Sequence, residues 1–302
     1  MAVAPLPETD AGGPITPERG RGLSREWRSF WSNPLAIAGI SLLGFLILLS
    51  FVGPVIYHTN PESTNLLDTF AAPTAAHLLG TDALGRDELA RLMLGGQLSL
   101  EVGFAAGILS VILGTLYGLV AGLAGGWLDA ILMRIVDILF ALPGLYILLL
   151  VDSIFSPSAI LLVVVISVLS WLGTARLVRA EVLTLKQREF VHAARSLGSG
   201  TWRLMLRHLL PNVMGVVMVT ATFSVGSAIL TVAGLSFLGL GLPPPTPNWG
   251  GMLADGTNYI FQNAWWLIYP PGLAIVAAEL GVNFLGDALR ASFDPRLREG
   301  RA

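Results

Sequence analysis

Glu189-Phe-Val-His-Ala-Ala-Arg-Ser-Leu-Gly198-Ser-Gly-Thr201-Trp-Arg-Leu-Met-Leu-Arg-His-Leu-Leu-Pro211 is a polar, arginine-bearing interval between two long apolar runs, 158–178 and 212–236. Its own pattern reads as helix, turn, helix. Ala193 and Ala194 are small, Gly198 suits the left-handed residue that ends a helix, and Thr201 is placed to cap the next one. The second helix carries Trp202, Met205 and Leu209 on one side, with Arg203 and Arg207 on another. A solvated loop needs the charges but not the apolar residues. A compact knob that docks on a partner protein needs both, and accounts for more of the stretch.

The runs on either side decide the fold. A hydrocarbon core of roughly 30 Å takes about 20 apolar residues in a helix. Six segments meet that test: 35–57, 99–124, 131–151, 158–178, 212–236 and 267–288. The composition agrees, because 54% hydrophobic and 13% charged residues in a 302-residue chain do not cover a soluble surface. The mean hydropathy is +0.70. The expectation is an all-α polytopic membrane protein with six transmembrane helices. Asp152, Ser156 and Pro157 mark a tight hairpin between the third and fourth runs. The first run follows a 33-residue polar leader and precedes no convincing A-x-A cleavage site, so it reads as a retained anchor.

Orientation follows from the basic residues, which cytoplasmic loops retain. Of the 18 lysines and arginines, only Arg86 and Arg91 fall opposite the rest. Both termini are therefore expected in the cytoplasm. Residues 1–34 form a cytoplasmic leader and 35–290 the six-span domain, which carries external loops at 58–96, 152–157 and 239–266. The cytoplasmic loop is 180–211, and 291–302 form a cytoplasmic tail. The leader to residue 22 is rich in Pro, Gly and acidic residues, the composition of a disordered segment. Arg25, Trp27, Arg28, Phe30 and Trp31 suit a short helix in the headgroup layer of membrane lipid. No internal repeat of fixed period is evident.

Several chemistries are excluded. With no cysteine there is no disulfide framework, no thiolate nucleophile and no cysteine-held metal, and the four histidines are too scattered for a local metal motif. The only lysine, Lys186, does not lie in a Walker pattern. No cofactor is expected on this chain. A net charge of -2 gives no basic field for nucleic acid. An intramembrane hydrolase needs paired catalytic groups at membrane depth, and no histidine falls inside a run. A stand-alone secondary transporter needs inverted repeats and midplane charges. Only Glu279 points that way.

Other candidate residues carry paired readings. Asp82 and Asp87 flank Gly85 and Arg86, a turn whose acid and base are close enough to pair and pin the loop against the second span. It is either a self-folded cap or a contact for an external protein. Trp249, Trp265 and Trp266 suit the outer membrane interface, where belt anchoring suffices to explain them. Thr220, Ser224, Ser227 and Thr231 recur at helical spacing in the fifth span, either for close packing or to line a pathway. Glu101 and Asp287 lie near span ends, and Asp137 is expected to pair with Arg134 three residues away. Glu279 lies about twelve residues into the sixth span, with no local basic partner. It reads either as one end of an interhelical hydrogen bond or as a cavity carboxylate that meets a substrate ammonium.

The quoted loop resembles the EAA motif of membrane subunits of ABC-type importers, matched by Ala193, Ala194, Gly198, Leu210 and Pro211, with His192 where that family usually has glutamate. Leu79-Gly-Thr-Asp-Ala-Leu-Gly-Arg-Asp87, continuing to Arg91 and Gly95, is similar to the GTD-x-x-GRD segment of peptide-importer permeases. Leu235 to Gly250, and Asn283 to Arg290 with Asp294-Pro-Arg296, are similar to later signatures of that family. The four matches run in order and resemble the C-type permease subunit of dipeptide and oligopeptide importers. That resemblance implies a type I importer permease fold in the plasma or inner membrane. It also implies a homologous B-type permease partner, two cytoplasmic ATPases that hold ATP and magnesium, and an external solute-binding protein. The substrate it implies is a dipeptide or oligopeptide, with a nickel chelate or glutathione as alternatives. The loop residues His192, Ala193, Ala194, Gly198, Trp202, Arg203 and Pro211 then become the ATPase contact. Asp82, Gly85, Arg86, Asp87 and Trp249 become the contact for the binding protein.

Overall fold

Asn33 and Pro34 open the first long helix as their chemistry dictates: the Asn33 side chain accepts from the Leu35 amide, and Pro34 sits in the first turn, where its missing N–H costs nothing. The computed structural model describes residues 23–293. The leader to residue 22 and the segment 294–302, with its Asp294-Pro-Arg296 match, lie outside the described residues. The helices are α1 Leu23–Trp31, α2 Pro34–Ile56, α3 Glu88–Ala124, α4 Gly126–Ala141, α5 Gly144–Ile154 and α6 Ala159–Leu185. They continue with α7 Glu189–Ser196, α8 Thr201–Phe237, α9 Trp249–Thr257 and α10 Tyr269–Phe293. Phe30 of α1 is buried against Ala36 and Ala288, whereas Trp27 and Trp31 are exposed.

Five helices (α2, α3, α6, α8 and the α10 region) are long and apolar enough to cross a membrane, and the pair α4 and α5 makes a sixth span if the two are taken together. That pair occupies the span expected over 131–151, in bent form. The chain bends by 76° between the two helices. The cause is Pro143, which has no N–H for the ladder and whose ring clashes with the preceding turn; Leu142 before it is already extended. The hairpin to α6 is where the sequence put it, with Ser158 capping α6 through the Leu161 amide.

The packing order is α6, α3, α8, α10, α2. In lipid there is no hydrophobic drive between helices, so contact depends on how closely backbones approach. α3 supplies two glycine seams for this. Gly103 and Gly107 take α8, where a Cβ on Gly107 would stand 2.5 Å from the Val225 Cα. Gly114, Gly118 and Gly122 take α6, where a Cβ on Gly118 would stand 2.5 Å from the Ala175 carbonyl oxygen. A four-residue spacing keeps each seam on one face. On the far side, Gly39 of α2 meets Gly281 of α10.

Asp137 does not pair with Arg134. It reaches Arg176 of α6 at 2.6 Å, and the Arg176 guanidinium also lies 4.3 Å from the centre of the Phe140 ring. Nearby, Asp129 of α4 takes Arg179 of α6 in a bidentate pair at 2.6 and 2.7 Å. Glu101 is not at a helix end, because α3 begins eleven residues earlier than the apolar run and takes in residues 88–96 of the expected loop.

Candidate functional site

At the arginine-rich end of the bundle, α6 runs on to Leu185 and is tied to the end of α3. Lys186 donates to the Gly122 and Leu123 carbonyl oxygens at 2.9 and 3.1 Å. Burial draws its pKa below the usual lysine value. α7 then ends as predicted. Gly198 has φ +77°, and the Ser199 amide donates back to the Ala194 carbonyl, a closure that needs a residue without Cβ strain.

Inward, Val191, Ala194, Leu204, Met205 and Leu209 pack on Leu119, Val178 and Val182. Outward, Leu197 is 87% and Trp202 68% exposed, with Phe190 and Leu206 also uncovered. His192, Ala193, Arg195, Arg203 and Arg207 are exposed around them.

Two expectations are corrected here, and the course of the helix adds a third finding. Trp202 does not pack with Met205 and Leu209: it is exposed, whereas both of those are buried together with Leu204. Gly200, not Thr201, occupies the cap position of α8. The helix that starts there does not stop at Pro211 but runs through it. A π-helical turn over Met205–Leu209 precedes the proline and absorbs the disturbed ladder, and the Asn212 side-chain Nδ2 donates to the His208 carbonyl.

The opposite end is capped by its own loops. Asp82 accepts from the Leu84 and Arg86 amides, both at 2.9 Å, and from the Arg86 guanidinium at 2.6 Å. Gly85, at φ +68°, makes the turn. Asp87 caps α3 through the Ala90 amide and also meets the Tyr57 hydroxyl at 2.7 Å and the His77 Nδ1 at 2.8 Å. Burial first, then the bond to Asp87, raises the Tyr57 pKa. Trp249 is wholly buried; its indole N–H donates to the Leu92 carbonyl, and its amide donates to Ser99 Oγ. Trp266 is buried and donates to the Thr81 carbonyl. Belt anchoring therefore fails for both, and only Trp265, half exposed, remains open to it. Asp82, Gly85, Asp87 and Trp249 are buried inside the cap, with Arg86 partly so. They hold the loop together.

Thr220, Ser224, Ser227 and Thr231 do share one face of α8, centred roughly opposite Val225 and Ile229, which meet α3. Ser227 is exposed and the other three are half-buried. Thr220 and Thr231 donate to the carbonyls of Val216 and Ser227 in the turns before them. Glu279 does not join this face. It accepts from Asn283 on its own helix at 3.0 Å, and its second oxygen is buried against Gly226 without a partner. It makes no interhelical hydrogen bond among the described residues.

Sequence reasoning missed the α3 glycines, whose four-residue spacing was the available signal. It also missed Asn248, which caps α9 through the Gly251 amide.

Residues 114–299 match the family described as the binding-protein-dependent transport system inner membrane component. Residues 23–73 match the N-terminal TM domain of oligopeptide transport permease C. The chain is 38% identical over 270 residues to the oligopeptide transport system permease protein OppC of Bacillus subtilis (strain 168), covering 89% of this chain and 88% of that one. It is 42% identical to a putative peptide permease protein of Brucella suis, over 91% of each. It is 40% identical to the di/tripeptide transport system permease protein DppC of Pseudomonas aeruginosa (strain UCBPP-PA14), over 91% of this chain and 93% of that one.

Proposed function

Because the chain belongs to the family of binding-protein-dependent inner-membrane transport components, we propose that it forms one wall of the translocation path for dipeptides or oligopeptides in an ATP-driven importer. A homologous B-type permease supplies the other wall. Both termini and the arginine-rich end face the cytoplasm, where two ATPase subunits hold ATP and magnesium and dock on the loop between α6 and α8. The capped end faces outward, toward a solute-binding protein that delivers the substrate. The relatives named for peptides favour that class over a nickel chelate or glutathione.

The observation that carries the reading is the outward face of the loop. Phe190, Leu197, Trp202 and Leu206 are exposed on a segment whose other side is fully packed. Burying each such side chain is worth roughly 1.5–3 kcal/mol, so a protein surface that covers them gains substantially. Ser227 and its neighbours on α8 supply polar contacts along the path.

The test is reconstitution. Vesicles holding this chain, the B-type permease, two ATPases and the binding protein should hydrolyse ATP faster when a dipeptide is added. This chain alone should do nothing. Accumulation by the chain alone on a proton or sodium gradient would refute the reading.

A further inference from the structure

The outer end of α2 is built as a joint. Its ladder widens to a π-helical turn over Leu48–Val52, and Pro54 follows two residues later. In an ordinary α-helix the Ser50 carbonyl accepts from residue 54, which here has no N–H to give. A donor comes from another helix: the Gln97 side-chain amide of α3 reaches the Ser50 carbonyl oxygen at 2.8 Å. The Ser50 hydroxyl, buried where α2 crosses Gly96 of α3, has no hydrogen-bond partner. Proline, a π turn and a side chain set into the ladder are three usual causes of a bend, and all three coincide here.

The joint also marks a change of neighbour. Before it α2 lies on α10, with Gly39 against Gly281; beyond it α2 lies on α3, with Gly53 against Met93. None of the four residues Gly53–Ile56 is buried, and Val55 and Ile56 are 67% and 77% exposed. With so little packing, the position of this turn rests on polar ties. Two of them reach α3: Gln97 at the root of the turn, and at its tip the Tyr57 hydroxyl on Asp87, the residue that caps α3. The π turn of α8 over Met205–Leu209 is also followed two residues later by a proline, and there Asn212 Nδ2 donates to a carbonyl of the turn. That amide belongs to the same helix and travels with it. Gln97 belongs to a neighbour, so the α2 joint is one that a movement between helices can release.

We propose that residues 53–57 are a hinged flap of the first span, pinned to α3 by Gln97, whose amide stands in for the backbone donor that Pro54 removes. Gln97 is a positioning residue: it sets where the flap stands against α3 and, through Tyr57, how the outer loop sits on it. The hinge depends on this chain alone and not on the transport reading.

The test is amide hydrogen exchange, read by mass spectrometry on the full chain in lipid nanodiscs. Gln97→Met keeps an unbranched side chain but has no donor. Exchange across 51–57 should quicken by about tenfold, the factor that one hydrogen bond of ordinary net strength makes to a local opening equilibrium, with α6 and α8 unchanged. Gln97→Leu, a second variant without a donor, should show the same pattern. Adding Pro54→Ala, which returns a backbone N–H to residue 54, should bring the exchange of Gln97→Met back to within about twofold of wild type. A Gln97 that merely fills space is not rescued in this way. Unchanged exchange across 51–57 in both Gln97 variants overturns the pin. Quickening that Pro54→Ala fails to restore overturns the link to the proline, and a uniform rise over all the spans, which marks general loosening, overturns the hinge.

Discussion

The two ends of the bundle solve opposite problems with the same kinds of residue. At the capped end the tryptophans and charges turn inward: Trp249 and Trp266 each donate to a backbone carbonyl, and Asp82 and Asp87 accept from amides and from neighbouring side chains. At the arginine-rich end Trp202 and its apolar neighbours turn outward, and the arginines around them are exposed. One end buries its large side chains within the chain, and the other leaves them uncovered. Exposure of large apolar groups, not the presence of a signature, is therefore what singles out the loop as the proposed docking surface.

The comparison can be broken at its strongest point first. Asp82→Ala removes the acceptor for two amides and leaves Arg86 and Arg91 short of a counter-charge, which should cost about 3–5 kcal/mol. Thermal unfolding and limited proteolysis of the purified complex should both show it. A change below about 1 kcal/mol would mean that the backbone turn at Gly85 holds the cap unaided. Trp249→Phe keeps most of the ring but removes the indole donor from the Leu92 carbonyl, which retains its helical partner, with an expected loss of about 0.5–1.5 kcal/mol in the same assay.

At the other end the effects on stability shrink while those on coupling grow. Gly198→Val places a β-branched residue at φ +77° and should cost about 1–2 kcal/mol locally, with loss of dipeptide-stimulated ATP hydrolysis. Trp202→Ala should shift unfolding by less than about 0.5 kcal/mol, since the ring touches little within this chain. It should nevertheless depress stimulated hydrolysis strongly. Wild-type hydrolysis in Trp202→Ala would show that the outward face does not carry the contact.

Much of this was legible in the residues. Apolar run length marks the spans, and Gly198 between two short polar helices announces its own left-handed turn. Where the reading failed, a partner distant in sequence had decided. Asp137 had Arg134 close in the chain, yet Arg176 on α6 offered the better-placed guanidinium. Trp249 looked like a belt residue because its local sequence is a stiff proline-rich loop; what buries it is α3, more than 150 residues earlier. Glu279 lies within α10 as its position in the last apolar run implies, but which neighbour it meets depends on the rotation of α10, which composition does not encode. At the loop, a run of residues that alternate between two faces gave the right chemistry and the wrong side for Trp202.

The unbroken course of α8 has a mechanical meaning. At about 1.5 Å per residue, its 37 residues make a rod of roughly 55 Å, with Trp202 near one tip and Ser227 well along the shaft. A push on the tip is not lost in a loop, because there is none between the two. The π-helical turn and Pro211 are its one soft joint, set just where the rod leaves the loop, so that twist at the tip is partly absorbed while tilt is passed on. In the function proposed above, a partner that gripped the indole would swing the polar face of the shaft with it.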